Sequence, residues 1–95
     1  RCASFGHAGD GNIHPNLVFD RDDPTAQERT EAFQREVYRI AIELGGSITG
    51  EHGIGSSRRE WLEAQRGSAA VGAMRRIKDA LDPLGILNPG KVLPS

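Results

Sequence analysis

The chain has 95 residues, of which 37% are hydrophobic and 26% are charged, and its formal net charge is −1. A net charge so close to zero, with no basic stripe, argues against a partner recruited by bulk electrostatics, such as nucleic acid or an anionic membrane. No apolar run reaches the roughly 18 residues of a membrane span, and the single cysteine, Cys2, excludes an internal disulfide and fits a reducing compartment, so we expect a cytoplasmic protein.

A β-hairpin is predicted at the N-terminal end. Its arms are Arg1–Phe5 and Ile13–Phe19. The pair Asp10–Gly11 between them is typical of a type I′ turn, because both residues tolerate positive φ. That register pairs His7 directly with His14, so the two imidazoles share one face of the hairpin with Cβ atoms about 5 Å apart.

The longest predicted helix follows the hairpin. It begins at Pro24, with Asp23 as its N-cap, and ends at Leu44 before Gly45. Apolar residues recur along it at helical spacing and are expected to lie in the core: Phe33, Val37, Ile40, Ala41 and Leu44.

Shorter elements occupy the middle of the chain. Ser47–Thr49 is bounded by glycines and predicts a brief strand that leads into Glu51 and His52. Ser57 opens an S-x-x-E capping-box pattern, which predicts a short helix as far as Gln65.

The last predicted helix runs from Ser68 to Leu84 with Gly85 as its C′ residue, and Pro83 either kinks the final turn or stops the helix one turn early. The tail Ile86–Ser95 contains two further prolines and is expected to be irregular. One face of this helix is also expected to lie in the core: Val71, Met74, Ile77, Leu81 and Leu84.

The order hairpin, helix, strand, helices indicates an α+β fold in which helices cover one face of a small antiparallel sheet. A ferredoxin-like, split βαβ arrangement without its first elements satisfies this order, followed by C-terminal helices and the irregular tail. Because the chain begins with Arg1 and opens directly on a strand, we expect residues 1–95 to be a piece of a longer protein.

All three histidines lie in glycine-rich turns. His7 and His14, joined by a carboxylate such as Glu51, would make a His-His-Glu metal site with open positions for water or substrate. The other interpretation is a pair of surface imidazoles beside a turn, and the spacing alone leaves both open. The glycines are spaced GxxGxG, which differs from the GxGxxG of dinucleotide-binding loops and argues against such a loop.

Glu51 and His52 are adjacent, so in a regular strand their side chains would point to opposite faces. The flanking Gly50 and Gly53 permit an irregular backbone that brings both side chains to one site. A metal-binding glutamate beside an imidazole would pair a Lewis acid with a general base. Otherwise Glu51 is a loop carboxylate and His52 a residue at a helix entry.

Asn16 falls on the same face as His14 and, in the predicted register, opposite Phe5. An amide at that position can orient a bound ligand. It is equally compatible with a polar residue on a solvated face.

Three segments, in this order, resemble the C-terminal end of the FAD-linked oxidases of the vanillyl-alcohol-oxidase type. They are Gly6–Asn16 (GHAGDGNIHPN), Gly50–Gly55 (GEHGIG) and Leu81–Lys91 (LDPLGILNPGK). Within that family they are most similar to the 2-hydroxyacid dehydrogenases, which include D-lactate dehydrogenase, the FAD subunit of glycolate oxidase and D-2-hydroxyglutarate dehydrogenase.

The resemblance implies a role for each residue that matches these motifs. His7, His14 and Glu51 would bind a divalent metal, zinc or manganese. His52 would be the catalytic base, and Asn16 would contact the substrate.

Asn88 and Lys91 match the family's terminal segment, which packs near the flavin pocket, so the resemblance implies a part in cofactor binding. A tail that only covers the helices is the alternative. The family usually has a lysine where this chain has Arg58, and that departure leaves the role of the position undefined. The family's FAD-binding domain has no counterpart in this chain.

The function implied is that of an FAD-dependent oxidoreductase, which oxidises a small 2-hydroxy acid such as glycolate or D-lactate to the 2-oxo acid. A domain absent from this chain would bind most of the flavin, so the isolated chain is expected to be inactive. Electrons would pass to an acceptor protein or a quinone. Two other functions stay open on the residues alone: a non-enzymatic α+β interaction module, and a metal-dependent hydrolase that uses the same His-His-Glu site.

Overall fold

The computed structural model describes residues 1–95 and confirms the α+β prediction. An antiparallel hairpin is followed by three α-helices and an irregular tail. The strands are β1 (Cys2–His7) and β2 (Asn12–Leu17), and the helices are α1 (Ala26–Glu43), α2 (Leu62–Arg66) and α3 (Ser68–Leu81). None of these helices combines the length and the apolar character that crossing a membrane requires.

The hairpin forms, but the predicted type I′ turn at Asp10 and Gly11 is wrong. Ala8–Asp10 is a single turn of 3-10 helix, and only Gly11 takes the left-handed conformation, with φ of 70°. The Gly11 N–H closes the turn on the carbonyl of Ala8 at 3.2 Å. One left-handed residue after a helical turn therefore replaces the two that a type I′ turn needs.

This turn sets a register that differs from the predicted one by two residues. His14 pairs with Phe5, and His7 pairs with Asn12, so the direct His7 to His14 pairing is wrong. Asn16 lies opposite Ala3 and not opposite Phe5. Because side chains alternate faces with a period of two, a shift of two residues leaves His7 and His14 on the same face.

Helix α1 begins at Ala26, two residues later than predicted, with Thr25 as its N-cap. Asp23 organises the preceding turn instead: its carboxylate accepts the Thr25 N–H at 2.8 Å and the Thr25 hydroxyl at 2.7 Å. These bonds, together with the Arg29 guanidinium, hold the pKa of Asp23 below its ordinary value. The helix ends at Glu43, and Gly45 follows with φ of 73°.

The brief strand predicted at Ser47–Thr49 is wrong, because no other strand lies beside it. The segment is held by the side-chain amide of Gln65, whose oxygen accepts the Ile48 N–H at 3.0 Å. The Gln65 amide nitrogen donates to the Ser47 hydroxyl at 3.0 Å. A single side chain thus supplies the partners that a neighbouring strand would offer.

The predicted helix from Ser57 to Gln65 is replaced by a turn, a 3-10 segment at Arg59–Trp61 and the short helix α2. The capping-box prediction at Ser57 is wrong, since no side chain caps either helical segment. Gly67, with φ of 82°, separates α2 from α3.

Helix α3 ends at Leu81, earlier than Leu84, because Pro83 cannot continue it. Asp82 is the C-cap, and its buried carboxylate accepts the N–H groups of Ile86 and Leu87, each at 3.0 Å. Lys78 donates to the same carboxylate. This bond, aided by the two backbone donors and opposed by burial, keeps the pKa of Asp82 below its ordinary value.

The predicted core is wrong for much of both helix faces. Five apolar positions expected inside are exposed: Ile40, Leu44, Ile77, Leu81 and Leu84. The buried apolar residues are Ala26, Tyr38, Ile48, Leu62 and Val71, and of these only Val71 was among the positions predicted inside. The reason is that the hairpin makes only sparse contacts with the helices, so no single sheet-on-helix core forms. The radius of gyration of 15.8 Å exceeds the roughly 12 Å of a compact domain of this length.

Candidate metal and catalytic site

His7, His14 and Glu51 come together at one place in the structure. Each offers a ligand atom, and these atoms all lie within 4.8 Å of one another. The shortest separation is 3.2 Å, between His14 Nε2 and Glu51 Oε1. Two ligands about 2.1 Å from a tetrahedral zinc ion lie about 3.4 Å apart, so this pair already has the spacing of neighbours around one cation.

The hairpin positions the two histidines from adjacent strands. Their rings lie edge to face with centroids 6.1 Å apart, although the residues are diagonal neighbours and not direct partners. The Phe5 ring, opposite His14, packs on it with centroids 5.2 Å apart. That contact leaves the His14 side chain 24% exposed, which limits the solvent it meets without closing access to its Nε2 atom.

Glu51 and His52 lie in the loop between α1 and α2, and both side chains are close to His14. His52 Nε2 lies 3.8 Å from Glu51 Oε1, and the His52 ring centroid lies 6.0 Å from that of His14. Gly53 has φ of 74°, the left-handed backbone that glycine adopts without strain. The loop is therefore irregular enough for two neighbouring side chains to face one site.

Asn12, which was not among the residues predicted for the site, occupies the space next to two of the glycines. A Cβ at Gly50 would lie 2.3 Å from Asn12 Oδ1, and a Cβ at Gly6 would lie 2.2 Å from the Asn12 carbonyl oxygen. Absence of side chains at both positions lets the Glu51 loop and strand β1 approach the start of β2. The clustering of glycines was the signal for close approach, but it does not reveal the partner.

Asn16 lies on the His14 face, where the sequence predicted it. Its Nδ2 atom donates a hydrogen bond to the His14 carbonyl at 3.0 Å. That bond restrains the exposed amide and uses one of its two N–H groups.

The tail reaches the same region through its backbone. The Val92 N–H donates to the Gly55 carbonyl at 2.7 Å, and Arg59 Nη1 donates to the Gly90 carbonyl at 2.7 Å. Lys91 lies between these two anchors and is exposed. Asn88 is also exposed and takes a left-handed conformation with φ of 45°. Neither side chain takes part in the ion pairs of His14, Glu51 and His52.

Comparison with known proteins assigns the chain to a family. Residues 1–92 match the family model described as FAD linked oxidases, C-terminal domain, so the chain belongs to that family. The family resemblance read from the three motifs is confirmed, and membership implies FAD as the cofactor.

Several characterised relatives are similar over nearly the whole chain. The glycolate oxidase subunit GlcD of Bacillus subtilis is 47% identical over 89 residues, which is 94% of this chain and 19% of that protein. GlcD of Escherichia coli K12 is 42% identical over 95 residues, 100% of this chain and 19% of that protein. The mitochondrial D-lactate dehydrogenase [cytochrome] of Arabidopsis thaliana is 39% identical over 93 residues, 98% of this chain and 16% of that protein. The chain thus spans about a fifth of their length.

Proposed function

We propose that this chain supplies the metal-binding and proton-accepting part of an FAD-dependent oxidoreductase that converts a 2-hydroxy acid, such as glycolate or D-lactate, to the 2-oxo acid. The observation that carries the proposal is the convergence of His7, His14 and Glu51 with His52 directly beside them. The printed names of the relatives, glycolate oxidase and D-lactate dehydrogenase, support this substrate class.

The donor set fits a divalent cation. Two imidazole nitrogens and one carboxylate oxygen are ligands typical of catalytic zinc, and they suit manganese as well. His7, His14 and Glu51 would hold the ion. When bound, it supplies a Lewis acid toward the carboxylate and hydroxyl oxygens of the substrate.

His52 is proposed as the base. Its side chain is 70% exposed, so a substrate hydroxyl can reach Nε2 and transfer its proton there. The Glu51 oxygen Oε1 lies 3.8 Å from that nitrogen, so the proposed base stands directly beside a proposed metal ligand. FAD supplies the acceptor for the hydride from C2 of the substrate.

Two further roles complete the proposal. Asn16, restrained by its bond to the His14 carbonyl, would orient the substrate through the amide atoms that this bond does not use. Asn88 and Lys91 would contribute to the flavin side of the site, since the tail that carries them is bonded to the end of the Glu51 loop at Gly55. The final electron acceptor, a protein or a quinone, and a cytoplasmic location stay predictions.

Family membership is the reason to prefer oxidation over the two alternatives. A metal-dependent hydrolase would use the same three ligands without flavin chemistry. A non-enzymatic interaction module would need neither the ion nor His52.

The test uses the complete flavoprotein that carries this chain. His52→Gln should slow anaerobic flavin reduction by the substrate about 10²–10⁴-fold and leave the metal content, measured by mass spectrometry, unchanged. His14→Ala should lower both, because it removes a ligand. Ser56→Ala, an exposed change in the same loop, is the control.

Equal loss of metal and rate in His52→Gln would reassign that residue as a ligand. If neither glycolate, D-lactate nor another 2-hydroxy acid bleaches the wild-type flavin, the proposed reaction is wrong.

A further inference from the structure

Three consecutive backbone carbonyls in the loop that carries His52 accept hydrogen bonds. Arg58 Nη1 donates to the Gly53 carbonyl at 3.1 Å. The Arg58 backbone N–H donates to the Ile54 carbonyl at 3.3 Å, and the Val92 N–H donates to the Gly55 carbonyl at 2.7 Å. Gly53, which directly follows His52, is therefore held by a side chain and not by the backbone.

Arg58 is in turn anchored on helix α1. Its Nε atom donates to the Tyr38 hydroxyl at 3.0 Å, and its guanidinium lies 6.0 Å from the centre of the Tyr38 ring. Tyr38 is only 6% exposed, Gln34 donates to the same hydroxyl at 2.9 Å, and Trp61 packs edge-on against the ring at 5.6 Å. The guanidinium thus links the loop that carries His52 to Tyr38, one of the few buried side chains of the structure.

We propose that Arg58 is a positioning residue for His52, an inference that rests on the proposed function. Its planar fork spans from Tyr38 to the Gly53 carbonyl and restrains a loop whose glycines otherwise leave the His52 backbone free to move. A lysine presents one ammonium group and does not reproduce two contacts made in different directions by one rigid plane.

Kinetics of the complete flavoprotein separate this role from substrate binding. Arg58→Ala should lower kcat on the order of 10- to 100-fold per bound flavin, because small displacements of a reacting group cost that much, with KM changed less than about 2-fold. Arg58→Lys should recover part of the loss. Tyr38→Phe is the matched variant: it keeps the ring and removes only the hydroxyl anchor, so its loss should be smaller than that of Arg58→Ala.

Hydrogen exchange of the loop is the readout that does not depend on turnover. The backbone amides of residues 58 and 92, which donate to the Ile54 and Gly55 carbonyls, should exchange faster in Arg58→Ala than in wild type, whereas those of α3 should not change. Unchanged exchange at these two amides overturns the proposal. A raised KM with unchanged kcat also overturns it and would assign Arg58 to substrate binding. If the rate falls only in proportion to the bound flavin, the proposal is overturned as well, and Arg58 stabilises the fold in general.

The two proposals fail separately. If the wild-type flavin is reduced by no 2-hydroxy acid, the proposed function is wrong, and faster exchange in Arg58→Ala would still support Arg58 as the residue that orders this loop.

Discussion

Gly6→Ala tests whether the close approach of β1 and β2 is what places the two imidazoles. A methyl group at Gly6 would lie 2.2 Å from the Asn12 carbonyl oxygen and 3.0 Å from the Ile13 Cα atom. Carbon and oxygen atoms normally stay about 3.3 Å apart or more, so the strands must separate locally by about 1 Å. Both neighbours are backbone atoms of the paired strand, and neither can rotate away.

Overpacking of this kind costs about 1–3 kcal/mol. The backbone clash, together with the φ of 156° at Gly6, which residues with a side chain rarely adopt, places Gly6→Ala near the upper end. Because Gly6 pairs with Ile13, between the positions of His7 and His14, the same displacement should weaken the affinity of the proposed site for a divalent metal by about 10–100-fold, as loss of a supporting contact does. Thermal unfolding and metal titration of the complete protein measure the two effects independently.

Gly9→Ala is the matched control in the same turn. A methyl group there meets nothing within 4 Å, and its φ is not positive, so stability should change by less than about 0.5 kcal/mol. If Gly6→Ala and Gly9→Ala unfold alike and bind metal alike, the strand approach at Gly6 does not position the histidines, and the argument from close packing is refuted.

Two further substitutions test the packing and the electrostatics of the helical part. Leu62→Ala removes a side chain that is 3% exposed and should cost about 2–5 kcal/mol in thermal unfolding, whereas the exposed neighbour Glu63→Ala should cost little; equal effects would contradict the burial. Asp82→Asn removes a carboxylate whose pKa is lowered chiefly by Lys78, so its stabilisation is present above about pH 4 and is lost as pH falls through the lowered pKa. The difference in melting temperature from wild type should therefore shrink in acid, and a difference that grows in acid would contradict this sign.

Local chemistry predicted the elements better than their boundaries and packing. The apolar periodicity of α1 and the helix break at Gly67 each depend only on residues that are close together in the sequence, and both are present in the structure. The strand at Ser47–Thr49 fails because a strand needs a partner, and the side chain of Gln65 serves in its place. The expected core fails for a similar reason: an apolar face such as that of Ile77 and Leu81 does not say which surface will cover it.

The sequence was enough to predict that His7, His14 and Glu51 lie close together, but not the register and the contacts that hold them there. His7 and His14 were placed on one face by a register that was wrong, and they share a face nonetheless because an error of two residues preserves the alternation. Convergence of Glu51 with both imidazoles needed only flexible glycines, which the sequence displays. The contact of Arg58 with Tyr38 joins residues 20 positions apart in the chain, and no spacing rule reveals it.

The sparse packing between the hairpin and the helices has a mechanical consequence. Two of the proposed ligands belong to the hairpin, and the third lies in the loop between α1 and α2, so a shared ion would tether two parts of the chain that otherwise make few contacts. At a free metal concentration a hundredfold above its Kd, such a tether adds about 2.7 kcal/mol to stability. A chelator that removed such an ion would therefore lower the melting temperature of the protein as well as its activity, and thermal stability would rise with the concentration of free metal.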